Sequence, residues 1–135
     1  MASAFGHAFA AIALGTSLPK EFRTVKCWGL AMAGAILHDA DVIGFSVGIP
    51  YDSFWGHRGF SHSLLCALLI GIIVSFLFYY KRFFSTKGIL LIFFFTLATA
   101  SHALLDAMTT GGLGVAFFSP WAGTRHFFDL WPTKV

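Results

Sequence analysis

Charge is what this chain has least of. Only 11% of its 135 residues are charged, against about 25% in soluble domains, which excludes an ordinary water-soluble core. Nine Lys and Arg against six Asp and Glu give a formal net charge of +3. That excess is too small and too scattered to form a basic stripe, so nucleic acid is excluded as a partner. Cysteine is equally scarce: Cys27 and Cys66 lie in apolar segments without CxxC spacing. A disulfide or thiolate zinc site is therefore not expected, and both read as small buried hydrophobes. No basic residue precedes the first apolar stretch, while Lys20, Arg23 and Lys26 follow it. That order is the reverse of a cleavable signal peptide, so the stretch is expected to remain as a span. Repeats and low-complexity linkers are also missing, and residues 1–135 read as one domain.

What the chain has in abundance is apolar surface. It is 57% hydrophobic and 18% aromatic, with 17 Phe, and its mean hydropathy is +0.77. A helical crossing needs roughly 20 mainly apolar residues, so the length allows four short spans and little else. The expected fold is all-α, an integral membrane bundle of four short transmembrane helices near 3–18, 27–48, 61–80 and 88–108, with an aromatic tail over 115–135. Ser61 offers itself as the N-cap of the third span. Trp28, Trp55, Tyr79 and Tyr80 fit an interfacial belt, and Phe93 to Phe95 fit bundle core or lipid contact.

The few polar residues are not spread evenly. In an up-down-up-down bundle, the start of span one, the end of span two, the start of span three and the end of span four share one membrane face. Those places carry His7; His38, Asp39 and Asp41; His57, Arg58 and His62; and His102 with Asp106. Five of the six histidines and three of the six acids thus gather at one end. The opposite loops hold Lys20, Arg23, Lys26, Lys81, Arg82 and Lys87, six of the nine basic residues. The positive-inside rule makes those loops cytoplasmic and turns the polar end to the extracytoplasmic side.

Acids at membrane depth are expensive and normally face a protein interior or an aqueous cavity. Asp39 and Asp41 stand about 200° apart on a helix, so both reach one site only where the helix ends or unwinds. His102 and Asp106, four residues apart, share a helical face. Mixed imidazole and carboxylate donors suit Zn²⁺, Mn²⁺ or Fe²⁺. The candidate ligands are His7, Asp39, Asp41, His57, His62, His102 and Asp106. They outnumber the needs of one tetrahedral ion, and a two-metal site is compatible with them. Arg58 and Arg125 are the cations available for an anionic substrate group. Blander roles exist for each. His7 suits an interhelical hydrogen bond as well as a ligand, and His102 with Asp106 suits a structural pair. His57 and His62 suit interfacial imidazoles, His38 a supporting role, and Asp52, His126 and Asp129 exposed loop positions.

These motifs, taken in order, resemble a known family. Gly6-His7 near the start, Asp39-x-Asp41, His57-Arg58-Gly59-x-Ser61-His62-Ser63, and Ser101-His102-x-x-x-Asp106-x-x-Thr109-x-Gly111-Gly112 are similar to the LexA-regulated, membrane-bound metal-dependent hydrolases (YdjM-like inner-membrane proteins). The tail segments Phe117-Phe118-Ser119-Pro120-Trp121 and Thr124-Arg125-His126-Phe127-Phe128 resemble that family's ending. The resemblance covers nearly the whole chain. It departs at His38, where the family has Pro, and at Val135, beyond which longer relatives are expected to continue.

The resemblance implies a multi-pass protein of the bacterial inner membrane, distantly similar to zinc-dependent phospholipase C proteins. The implied activity is hydrolysis of a lipid-linked (phospho)ester by metal-activated water, with Asp39, Arg58 and Asp106 in catalytic roles. The partner is then a membrane lipid or lipid-linked substrate. The competing readings are a divalent-metal or proton-coupled transporter, which needs polar groups through both membrane halves, and haem ligation by His7 and His102, against which the adjacent carboxylates argue.

Overall fold

The computed structural model describes residues 4–109 and 112–128. Among these the chain is all-helical, with a single isolated bridge pairing Val115 with His126. Four helices make the bundle: α1 (Ala4–Gly15), α2 (Val25–Leu37), α4 (Leu64–Tyr79) and α5 (Thr86–Ala107), and a single-turn α3 (Ile43–Ser46) follows α2. Each junction has a local cause. The Thr24 hydroxyl caps α2 through the Cys27 amide, Ser63 caps α4 through Cys66, and Ser85 caps α5 through Gly88, each satisfying an amide that the helix leaves unpaired. The cap of α4 is thus Ser63 rather than Ser61. Two residues too far back, Ser61 sits in a 3-10 turn (Phe60–His62) with its hydroxyl on Asp41.

Two stretches, Leu64–Arg82 and Thr86–Ala107, are long and apolar enough to cross a membrane. The first half of the bundle is shorter than the expected spans over 3–18 and 27–48. α1 ends at Gly15, and α2 stops at Leu37, where the chain tightens into a 3-10 helix, His38–Val42. The change comes where the polar residues begin: the tighter turn redirects the Asp39 and Asp41 side chains that an α-helix would splay apart.

α5 is the central rod. It packs on α4, α2 and α1, while α1 also packs on α2. The apolar core is built from small and aromatic side chains, with Ala11, Ala31, Ala35 and Ala98 filling in beside Leu91, Phe94 and Phe95. Small residues let helices approach where lipid supplies no hydrophobic drive. Phe94 and Phe95 are buried, whereas Phe93 is exposed. The outer face of α4 carries Leu69, Ile73, Phe76 and Leu77, all exposed, as a lipid-facing surface requires. At the opposite end from the histidines, Glu21 bonds Lys87 (2.8 Å) and Arg82 (3.4 Å), tying the α1–α2 connection to the α4–α5 turn. The Lys87 hydrogen bond holds the Glu21 carboxyl below its ordinary pKa.

The tail closes the histidine end. Leu64 N donates to Phe117 O (3.0 Å), Ala116 N to Arg58 O (3.1 Å) and Phe128 N to Ala107 O (2.9 Å). Asp129, read above as an exposed loop residue, lies outside the described residues.

α4 and α5 approach closely at Gly71, where an added Cβ would lie 2.8 Å from both Ile92 O and Thr96 N. Backbone cannot yield as a side-chain tip can, so Gly71→Ala is expected to cost about 1–3 kcal/mol through overpacking. Thermal unfolding in detergent reads this as a lowered Tm, and an unchanged Tm refutes the close approach.

A candidate metal centre of histidine and aspartate

Three segments converge on the C-terminal half of α5. α1 contributes His7, the 3-10 turn after α2 contributes His38, Asp39 and Asp41, and the loop entering α4 contributes His57, Arg58, Ser61 and His62. α5 supplies His102 and Asp106, one helical turn apart and both buried. His7, Arg58, His62 and His102 are fully enclosed.

Four atoms meet at the centre. His62 Nε2 lies 3.2 Å from His102 Nε2. His102 Nε2 lies 3.3 Å from Asp39 Oδ1 and 3.7 Å from Asp106 Oδ2, and His62 Nε2 lies 3.8 Å from Asp106 Oδ2. Ligands about 2.0–2.1 Å from a tetrahedral zinc ion stand roughly 3.3–3.4 Å from each other, so these separations are close to the edges of such a coordination shell. Charge points the same way. The buried guanidinium of Arg58 pairs with Asp106, while Asp39 and Asp41 lie against imidazoles, so three carboxylates share the cluster with one guanidinium. The donor set fits Zn²⁺, Mn²⁺ or Fe²⁺. Asp39, with a quarter of its side chain accessible, is the open wall of the cluster.

The remaining candidates surround this core. His7 stacks on His102 at 3.8 Å between ring centroids, with Nε2 3.7 Å from Asp106 Oδ1. His38 Nδ1 donates to Gly34 O (3.2 Å), and its ring stands 5.3 Å from those of His62 and His102. His57 Nδ1 is 2.5 Å from Asp41 Oδ1. Asp41 therefore does not share the four-atom centre with Asp39; it groups with His57 and His62 on the far side of the His62 ring.

Both arginines, expected to bind substrate, are engaged within the protein. Arg58 is not at an open lip: it is 0% exposed, with Nε 3.2 Å from Asp106 Oδ2 and Nη2 donating to Thr109 Oγ1 (3.3 Å). Its left-handed backbone, φ 62°, is unusual for a non-glycine residue; it directs the side chain inward, and its carbonyl is held by Ala116 N. Arg125 is taken up by main-chain carbonyls. It donates to His57 O (3.0 Å) and Tyr51 O (3.0 Å), with Ser53 O at 3.4 Å, and lies over the Tyr51 ring. Arg125 thus staples the tail to the loop that carries His57 and Arg58. His126, expected in an exposed loop, is half-buried and bridged to Val115, while Asp52 is exposed.

Two contributors escaped the sequence reading. Ser61 Oγ donates to Asp41 Oδ2 (2.5 Å), and Thr109 Oγ1 joins Arg58 to the end of α5 while donating to Asp106 O (2.8 Å). Both stand beside motif residues, Ser61 before His62 and Thr109 three after Asp106, which is the one signal that pointed to them.

A helical bundle with two membrane-length rods and a buried histidine–aspartate cluster defines a membrane protein equipped to hold a cation. The chain belongs to the YdjM inner membrane protein family, whose sequence model matches residues 1–135. It is 35% identical over 131 residues to inner membrane protein YbcI of Escherichia coli (strain K12), covering 97% of this chain and 74% of that protein. No solved structure matches the chain. Family membership makes it a protein of the bacterial inner membrane.

The buried Arg58–Asp106 pair yields a test. Removing one partner of a buried pair strands the other charge, at about 3–5 kcal/mol. Arg58→Met is expected to lower stability by that order and Arg58→Lys by less, both read from unfolding in detergent. Equal stability of Arg58→Met and wild type would contradict the pairing.

Proposed function

We propose that the chain is a membrane-embedded, metal-dependent hydrolase acting on a lipid-linked ester, most simply a phosphoester. The observation that carries this reading is the convergence of His62 Nε2, His102 Nε2, Asp39 and Asp106 on one point, with charge and spacing suited to a divalent ion. Such an ion, when bound, supplies Lewis acidity that brings the pKa of water to roughly 7. The chain's own residues then have distinct tasks. His62, His102 and Asp106 would hold the ion from the closed side, and Arg58 pairs with the Asp106 carboxylate and aims it. Asp39, the most accessible of the four donors, would face the ion through Oδ1 and leave its other oxygen to accept the proton of an entering water.

The lipid character of the substrate is supported by an apolar cleft of about 370 Å³ at the same end of the bundle. It is lined by Leu64, Leu104, Phe117, Phe118, Phe127 and Phe128, with His126 as its polar member; Leu64 follows Ser63 and His62, and Leu104 lies between His102 and Asp106 in sequence. In this reading the helices cross the membrane four times, with Lys20, Arg23, Lys26, Lys81, Arg82 and Lys87 cytoplasmic and the cluster opening outward. The transporter reading is less well supported. Among the described residues every buried histidine, arginine and aspartate belongs to the cluster, and elsewhere the buried polar side chains are hydroxyls such as Ser75 and Thr99.

Elemental analysis of detergent-purified protein is expected to find one or two divalent ions per chain, removable by EDTA and lost in His102→Ala. With the ion present, vesicles of bacterial phospholipid should release a water-soluble phosphoester or a fatty acid, followed by phosphorus NMR and lipid extraction. A chain that binds no divalent metal at neutral pH would sink the proposal, and metal uptake by proteoliposomes would favour transport.

A further inference from the structure

We infer that Asp41 is a positioning residue and not a metal ligand: one carboxylate that fixes two imidazoles, His57 and His62, in the tautomer whose Nε2 is free to bind. The inference rests on the four-atom cluster being the metal-holding set. Asp41 Oδ1 is 2.5 Å from His57 Nδ1; Oδ2 is 2.5 Å from Ser61 Oγ and 3.2 Å from His62 Nδ1. The Ser61 hydroxyl also lies 3.0 Å from His62 Nδ1. An ionised carboxylate only accepts, so a single assignment of protons satisfies every contact. Ser61 gives its one hydrogen to Asp41, His57 donates from Nδ1, and His62 donates from Nδ1 between Asp41 and the Ser61 lone pair.

In neutral rings held this way, both Nε2 atoms carry the lone pair. That of His62 faces His102 and Asp106 at the metal-holding centre. An ion about 2 Å beyond it stands across the whole ring from Asp41, out of that carboxylate's reach. Both Asp41 oxygens are already engaged, Oδ1 by His57 and Oδ2 by Ser61 and His62, so an ion bound directly to Asp41 would compete with these donors. Carboxylates behind metal-bound imidazoles typically fix ring orientation and raise ligand basicity. The same carboxylate holds the His57 ring, whose Nε2 is buried and has no hydrogen-bond partner.

The test is zinc affinity by competition with a chromophoric chelator, together with the visible spectrum of the Co²⁺-substituted protein. Asp41→Asn is expected to weaken Zn²⁺ binding about 10–100-fold, while the Co²⁺ spectrum at saturation keeps wild-type band positions and intensity, because the ligand set is unchanged. Ser61→Ala, which retains the carboxylate, is expected to weaken binding less and in the same direction. Stoichiometric binding is expected to vanish in His102→Ala. The inference is overturned if Asp41→Asn abolishes binding as completely as His102→Ala or shifts the Co²⁺ bands, since Asp41 is then a ligand. It is equally overturned if Asp41→Asn leaves affinity unchanged. Should Asp41→Asn fail to fold, Ser61→Ala decides, and wild-type affinity in that variant overturns the positioning role. Wild-type protein that binds no Zn²⁺ at all refutes the metal reading itself, an outcome distinct from any that separates Asp41 from His102.

Discussion

Asp106 is a carboxylate enclosed by helices, and an apolar bundle can keep such a group only by surrounding it with donors and opposite charge. Arg58 meets it at 3.2 Å, His7 at 3.7 Å, and His62 and His102 within 3.8 Å. These partners come from α1, from the loop before α4 and from α5 itself, so the helix order follows from the need to compensate one charge. The left-handed turn at Arg58 belongs to the same constraint. A backbone conformation that costs of order 1–3 kcal/mol is retained because it delivers the guanidinium to the carboxylate.

Around that centre the protein separates two kinds of packing. Toward the basic end, alanines and phenylalanines fill the interior and the surface is left to lipid. Toward the histidine end, packing is polar and directional, and the tail is sewn on by main-chain hydrogen bonds. Arg125 matters here because it joins two segments through four carbonyls, those of Tyr51, Ser53 and His57 in one loop and that of Gly114 in the tail. Its charge serves the loop's geometry.

Much of this was legible in the sequence, for physical reasons. The runs over Leu64–Tyr79 and Thr86–Ala107 are uninterrupted, so hydropathy marked α4 and α5 to within a few residues. The convergence of His7, His38, Asp39, His57, His62, His102 and Asp106 followed from alternating helix direction, which places ends together whatever the crossing angles. What did not follow was direction within the site. Asp39 and Asp41 differ by two residues, yet one faces the four-atom centre and the other lies behind the His62 ring, because the helix tightens to 3-10 at His38. Nor does a sequence tell whether a guanidinium meets solvent or a buried carboxylate. Arg58 and Arg125 both read as substrate contacts, and both turned out to be spent on the protein. Ser61 looked like a cap because nothing local distinguished it from Ser63.

The unequal helices bear on the bilayer itself. α1 has 12 residues and α2 has 13, rising about 18–20 Å, whereas a hydrocarbon core is about 30 Å thick. α5, with 22 residues, rises about 33 Å and matches it. Lipid along the α1–α2 side can meet the shorter rods by thinning, and the chain leaves α-helix there at the turn that bears Asp39. Headgroups of a thinned leaflet would lie nearer the depth of Asp39 there than they do along α5.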